Sequence, residues 1–141
     1  MNFSLFSWNI RGLGRAEKVQ AVRREISLNN LKLVFIQETK KADFYVSTFR
    51  ELWNKLGIGK IFSPSIGSAE GLLCMWGEDF LEVSVNSISQ RFVALIGNVK
   101  EDNFRCIFIN VYRPSEDSER SSFMAELLQF WRIIQLYGVW G

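Results

Sequence analysis

Residues 3–14 read Phe3-Ser4-Leu5-Phe6-Ser7-Trp8-Asn9-Ile10-Arg11-Gly12-Leu13-Gly14. The run from Phe3 to Trp8 is short, aromatic and apolar, as a buried strand requires, and Gly12-Leu13-Gly14 breaks it. Residues 15–29 then place Val19, Val22 and Ile26 at helical spacing, with Lys18, Arg23, Arg24 and Glu25 as polar interruptions. Residues 31–36 are nearly all apolar (Leu31, Leu33, Val34, Phe35, Ile36), which suits a strand covered on both faces. From Asp43 to Leu56 the pattern is again helical, through Val46, Phe49, Trp53 and Leu56, and Gly57 stops it.

Beyond residue 70 the pattern changes. Gly71–Trp76, Leu81–Ser87, Arg91–Val99 and Phe104–Tyr112 are short β-rich runs, with Lys100-Glu101-Asp102-Asn103 as a hairpin connection. The segment from Ser118 to Leu136 carries Phe123, Leu127, Phe130, Trp131 and Ile134 on one helical face, with Ser118 as the expected N-cap. The expected order is β-α-β-α-β-β-β-β-α, an α/β layout with helices packed against sheets.

The chain has 141 residues, enough for one core, and its 48% apolar and 23% charged content is that of a folded domain. The net charge of +2 neither requires nor forbids a nucleic-acid partner, because a basic footprint can be local. No run of 18 apolar residues is present, and the N-terminus lacks the basic-then-apolar pattern of a signal peptide. Cys74 and Cys106 both lie in apolar runs, which favours buried free thiols in a reducing, intracellular setting. The chain contains no histidine, so any Ser-His-Asp triad, Cys-His pair, HExxH zinc site or histidine base within it is excluded.

Three polar positions follow or end expected strands: Asn9, Glu38 and Tyr112. Ligands in open α/β sheets bind at strand carboxyl ends, so these side chains converge if the strands run in compatible directions. Each has a plainer reading on the residues alone: Asn9 as a turn former, Glu38 as a solvated strand-exit glutamate, Tyr112 as an ordinary strand-end tyrosine. Arg11, Arg15, Lys40 and Lys41 lie near the same motifs, as phosphate contacts or as a solvated face. Gly12-Leu13-Gly14 reads as tight-turn glycines, since no Lys-Ser/Thr follows to make a phosphate-cradling loop.

Ser7-Trp8-Asn9-Ile10-Arg11-Gly12-Leu13-Gly14, Ile36-Gln37-Glu38-Thr39-Lys40 and Asn110-Val111-Tyr112-Arg113-Pro114, in this order, resemble the first half of the endonuclease/exonuclease/phosphatase superfamily. The wording of the first two motifs is most similar to endonuclease domains of plant-type non-LTR retrotransposons. The resemblance implies an incomplete sandwich of two sheets with outer helices. It implies a Mg2+-dependent phosphodiester hydrolase, with Mn2+ as a substitute ion, acting on DNA, and it admits a nuclear location. It assigns Glu38 to the metal, Asn9 to the metal and phosphate site, and Tyr112 to the substrate phosphate, with weak nucleic-acid contacts from Arg11, Lys40 and Lys41. Asn110, on the face of Tyr112, would orient its neighbours.

The family pattern continues into a Gly-Asp-Phe-Asn motif and later a Ser-Asp-His motif, neither of which is present before Gly141. Residues 1–141 are therefore expected to be a partial domain, weak in metal binding and inactive alone. Open sheet edges would favour self-association. The alternative is a non-catalytic remnant or a module that binds nucleic acid or protein.

Overall fold

Strand β1 (Leu5–Asn9) leads through helix α1 (Ala16–Asn29) to strand β2 (Leu33–Gln37), which pairs with β1 in parallel. A parallel pair needs such a crossover, and the helical spacing of Val19, Val22 and Ile26 supplies the face that covers it. The computed structural model describes residues 4–67, 69–112 and 117–136, less the side chains of Ser118, Gln135 and Leu136. Phe3, Arg113, Pro114, residues 137–141 and the capping role expected of Ser118 lie outside what is described.

Helix α2 (Val46–Leu52) is followed by strands β3 (Ile58–Ser63), β4 (Leu72–Gly77), β5 (Leu81–Ile88), β6 (Phe92–Val99) and β7 (Phe104–Val111), then helix α3 (Asp117–Leu136). One sheet has the order β1-β2-β4-β3 and the other β5-β6-β7. The architecture is the α/β two-sheet fold expected, with one strand more than the expected order.

The additional strand is β3. Gly59 interrupts its apolar pattern, because a Cβ there would lie 2.1 Å from the Trp76 ring on the neighbouring strand. Helix α2 is also shorter than the expected 43–56. Tyr45 and Trp53 are both extended, so Val46 and Leu56 point to solvent while Phe44, Leu52 and Trp53 are buried.

Period-2 alternation in β2 divides the core. Val34 and Ile36 join Leu73, Met75 and the α1 and α2 side chains, whereas Leu33 and Phe35 join Leu72, Cys74 and Trp76 against Leu81, Val93, Leu95 and Val99 of the second sheet. The outer face of that second sheet is covered by α3, where the Phe130 ring lies 5.4 Å from Phe92 and Ile134 is buried. Among the described residues no helix is long and apolar enough to cross a membrane. Both cysteines are free, Cys74 buried and Cys106 half-buried.

Polar side chains also cross between the sheets. Asn110 of β7 is buried and donates to the carbonyls of Ile36 (3.2 Å) and Leu73 (3.0 Å) in the first sheet. Its own carbonyl accepts from Gln37 Nε2 at 2.7 Å, and Gln37 also donates to Ser7 Oγ at 2.9 Å. Burial pushes the neighbouring Cys74 thiol up to about 12, an effect partly offset by a hydrogen bond from Asn110.

Gly59→Ala should lower stability by about 1–3 kcal/mol, since Trp76 must move out of a packed position, and a urea midpoint reads the loss. Asn110→Ala should remove about 2–4 kcal/mol by breaking three hydrogen bonds, two of them buried, and an unchanged midpoint would mean that the sheets are held without this amide. The Cys74 thiol keeps its proton in the folded state while the unfolded chain loses it near the ordinary 9.0. Its contribution to stability is therefore complete below that pH and is lost as pH rises toward the folded value. That loss should reach about 1.4 kcal/mol per pH unit in the wild type, and Cys74→Ala should lack this part of the slope.

Candidate active site

The loop after β2 is held on both sides by backbone. On one side Ile10 N–H donates to Gln37 O (3.1 Å), Gly12 N–H to Glu38 O (2.7 Å) and Leu13 N–H to Thr39 O (2.9 Å). On the other side Thr39 N–H donates to Gly71 O (3.2 Å) and Lys40 N–H to Glu70 O (2.8 Å). Three residues other than glycine adopt left-handed backbone here, Arg11 (φ 54°), Glu38 (φ 54°) and Lys40 (φ 55°). Each such residue costs on the order of 1–2 kcal/mol, so the bracing bonds hold a conformation the chain would otherwise leave.

Gly71 is required at φ 88°, where a Cβ would lie 2.3 Å from the buried Thr39 hydroxyl. Lys18, in the first turn of α1, completes the bracing by donating to the carbonyls of Ile10 and Arg11, both at 2.8 Å.

These loops border a cleft of about 630 Å³ at the strand ends. Ser7 and Asn9 come from β1, and Phe35, Gln37 and Glu38 from β2 and its exit; Glu70 comes from the connection before β4, and Ile109, Val111 and Tyr112 from β7 and its exit. Asn9, Glu38 and Tyr112 are thus brought together in one concavity. Glu70 was not foreseen. It lies just before the start of β4, which is brought beside the end of β2 because the two strands are antiparallel, with Gln37 against Leu72. That pairing direction cannot be read from local pattern. Ser7 and Gln37 also line the cleft and were not singled out; their signal is the period-2 spacing with Asn9 and Phe35 on adjacent strands.

The basic residues stand outside the cleft lining. Arg11 and Lys40 are exposed, with Lys40 Cδ within 3.7 Å of where a Gly12 Cβ would be, and Lys41 Nζ lies 5.7 Å over the Phe44 ring. The Arg15 side chain makes an exposed 4.0 Å pair with Glu17. Neither Lys nor Arg occurs among the described lining residues. The Tyr112 phenol is pushed above its ordinary value, first by burial and then by the carboxylates of Glu70, Glu119 and Glu38. It therefore remains a protonated hydrogen-bond donor through the neutral range. Among the described residues, no group of three or more His, Cys, Asp or Glu is placed to hold a metal ion. The oxygen-bearing side chains of the described lining include the Glu38 and Glu70 carboxylates and the Asn9 amide, hard ligands of the kind that Mg2+ takes while retaining several waters.

No protein-family model matches the sequence, and a search of curated proteins gave no match. The fold is similar to the human Nocturnin catalytic domain with bound sulfate anion, at TM-score 0.66 and 19% identity over 91% of this chain and 57% of that one. It is similar to truncated Caenorhabditis elegans TDP2, at TM-score 0.64 and 18% identity over 95% of this chain and 57% of that one. AP endonuclease LMAP from Leishmania major matches at TM-score 0.59 and 15% identity, over 84% of this chain and 43% of that one. The chain spans about half the length of these structures. Over that half it shares the two-sheet α/β fold of these structures.

Proposed function

We propose that residues 1–141 are the N-terminal part of a Mg2+-dependent phosphodiester hydrolase that nicks DNA, of the kind that serves retrotransposon insertion. The observation that carries this proposal is the meeting of Asn9, Glu38 and Tyr112, from three separate motifs, in one cleft at the strand ends. Glu38 would hold the metal, with the Asn9 amide oxygen beside it and Mn2+ as a substitute ion. A divalent ion at such a site polarises a phosphoryl oxygen and lowers the pKa of a bound water.

The chain's own side chains supply the rest of the binding chemistry. The protonated Tyr112 phenol donates to a phosphate oxygen. The Asn9 amide donates to the same group or lends its carbonyl to the ion. Gln37, fixed between Ser7 and Asn110, keeps the β1, β2 and β7 ends in register. Arg11, Lys40 and Lys41, on the loops beside the cleft, would meet backbone phosphates farther along a DNA strand.

The residues that would activate the nucleophile and protonate the leaving group are not in this set. Their place in the family pattern is in the Gly-Asp-Phe-Asn and Ser-Asp-His motifs. The proposal therefore treats 1–141 as part of a larger domain. Support comes from the half-length match to the solved structures and from β1 and β7, which are outermost strands of their sheets and border the cleft. A second reading, a module that binds without cutting, is favoured by the lack of any three-ligand cluster among the described residues.

Plasmid nicking with added Mg2+ separates the two. A chain extended to include the downstream motifs should nick, and Glu38→Ala in that extended chain should reduce the rate roughly a hundredfold or more. Residues 1–141 alone should show little cutting. Equal nicking by the extended chain with and without Glu38 would reject the assignment. Silence from every form would favour the binding module.

A further inference from the structure

We propose that Glu70 determines charge specificity in the cleft: its carboxylate, added to that of Glu38, makes the site require a divalent cation and then prefer a singly charged phosphodiester over a doubly charged phosphomonoester. This rests on the hydrolase reading above and concerns a residue outside its three motifs.

Glu38 and Glu70 are both half-buried and line the same concavity, and among the described residues neither has an ion-pair partner. The remaining described lining is amide, hydroxyl, phenol or apolar. Two uncompensated carboxylates facing one partly enclosed space repel each other and repel any phosphate. One divalent cation cancels both charges, and the resulting neutral site admits a monoanion more readily than a dianion. With Glu38 alone the same cation would leave a net charge of +1, which favours the dianion. A single carboxylate thus changes which ester is preferred, and Glu70 supplies it.

The main chain of Glu70 has a separate task, accepting from Lys40 N–H at 2.8 Å. That bond is indifferent to the side chain. Glu70→Gln therefore removes the charge and keeps the loop, and Glu70→Asp keeps the charge.

Free Mn2+, followed by its paramagnetic resonance, titrates binding to the wild type, Glu38→Gln, Glu70→Gln and Glu70→Asp. With Mn2+ present, protein fluorescence then compares a thymidine dinucleotide diester with thymidine 5′-monophosphate. Glu70→Gln should weaken Mn2+ binding roughly tenfold and shift the diester-to-monoester preference roughly tenfold toward the monoester, with Glu70→Asp close to the wild type. If Glu38→Gln weakens Mn2+ binding while Glu70→Gln matches the wild type in both readouts, the role of Glu70 is rejected and the hydrolase reading stands. If Mn2+ binding is absent from the wild type, or equal in the wild type and Glu38→Gln, both are rejected.

Discussion

The cleft exists because one buried amide ties the two sheets together at its base. Apolar packing between the sheets is non-directional and would tolerate some sliding. Asn110 does not, because its donors reach carbonyls of two adjacent strands in the first sheet while its acceptor is taken by Gln37. Gln37 in turn reaches Ser7 on β1. Four strands are thereby registered at one end, and Tyr112, two residues beyond Asn110, emerges beside Asn9 and Glu38. Unpaired polar groups in this core would be costly, and among the described residues none is left without a partner.

Around that anchor the local backbone is unusual in a consistent way. Glu38 stands in a left-handed conformation, its carbonyl accepting from Gly12 N–H on one side, while the next two residues, Thr39 and Lys40, donate to Gly71 and Glu70 on the other, and Thr39 is buried against Gly71. Such geometry places a carboxylate at a strand exit on a rigid support instead of a mobile tip, as a binding site requires. The electrostatics agree with the geometry. The described lining carries two carboxylates and no basic side chain, while Arg11, Lys40 and Lys41 remain on the surrounding surface. The proposed binding of a cation within and phosphates along the rim rests on this distribution of charge.

Much of this was legible in the residues, and the parts that were not have physical reasons. The order β1-α1-β2 followed from a helical repeat flanked by apolar runs, and the covering of β2 on both faces followed from its continuous apolarity, whereas the parallel pairing of β1 with β2 is seen only in the fold. Strand β3 was hidden because close approach of the Trp76 ring demands glycine at position 59, a residue that reads as a break. The ends of α2 were misplaced because burial of Trp53 in an extended conformation overrides a spacing that suits a helix. Asn9, Glu38 and Tyr112 could be marked because each sits at a strand exit within a recognisable motif. Glu70 could not, since only the antiparallel pairing of β4 with β2 brings it to the same end.

The most direct measurement is the pattern of Mn2+-induced line broadening across the backbone amides of the isotopically labelled chain. Broadening centred on Asn9, Gln37, Glu38, Glu70 and Tyr112, with Asn30, Trp53 and Gly77 at the opposite end of the first sheet unaffected, is the expected result. Uniform broadening, or broadening centred on that opposite end, would show that the cleft is not the cation site and would contradict the proposed chemistry.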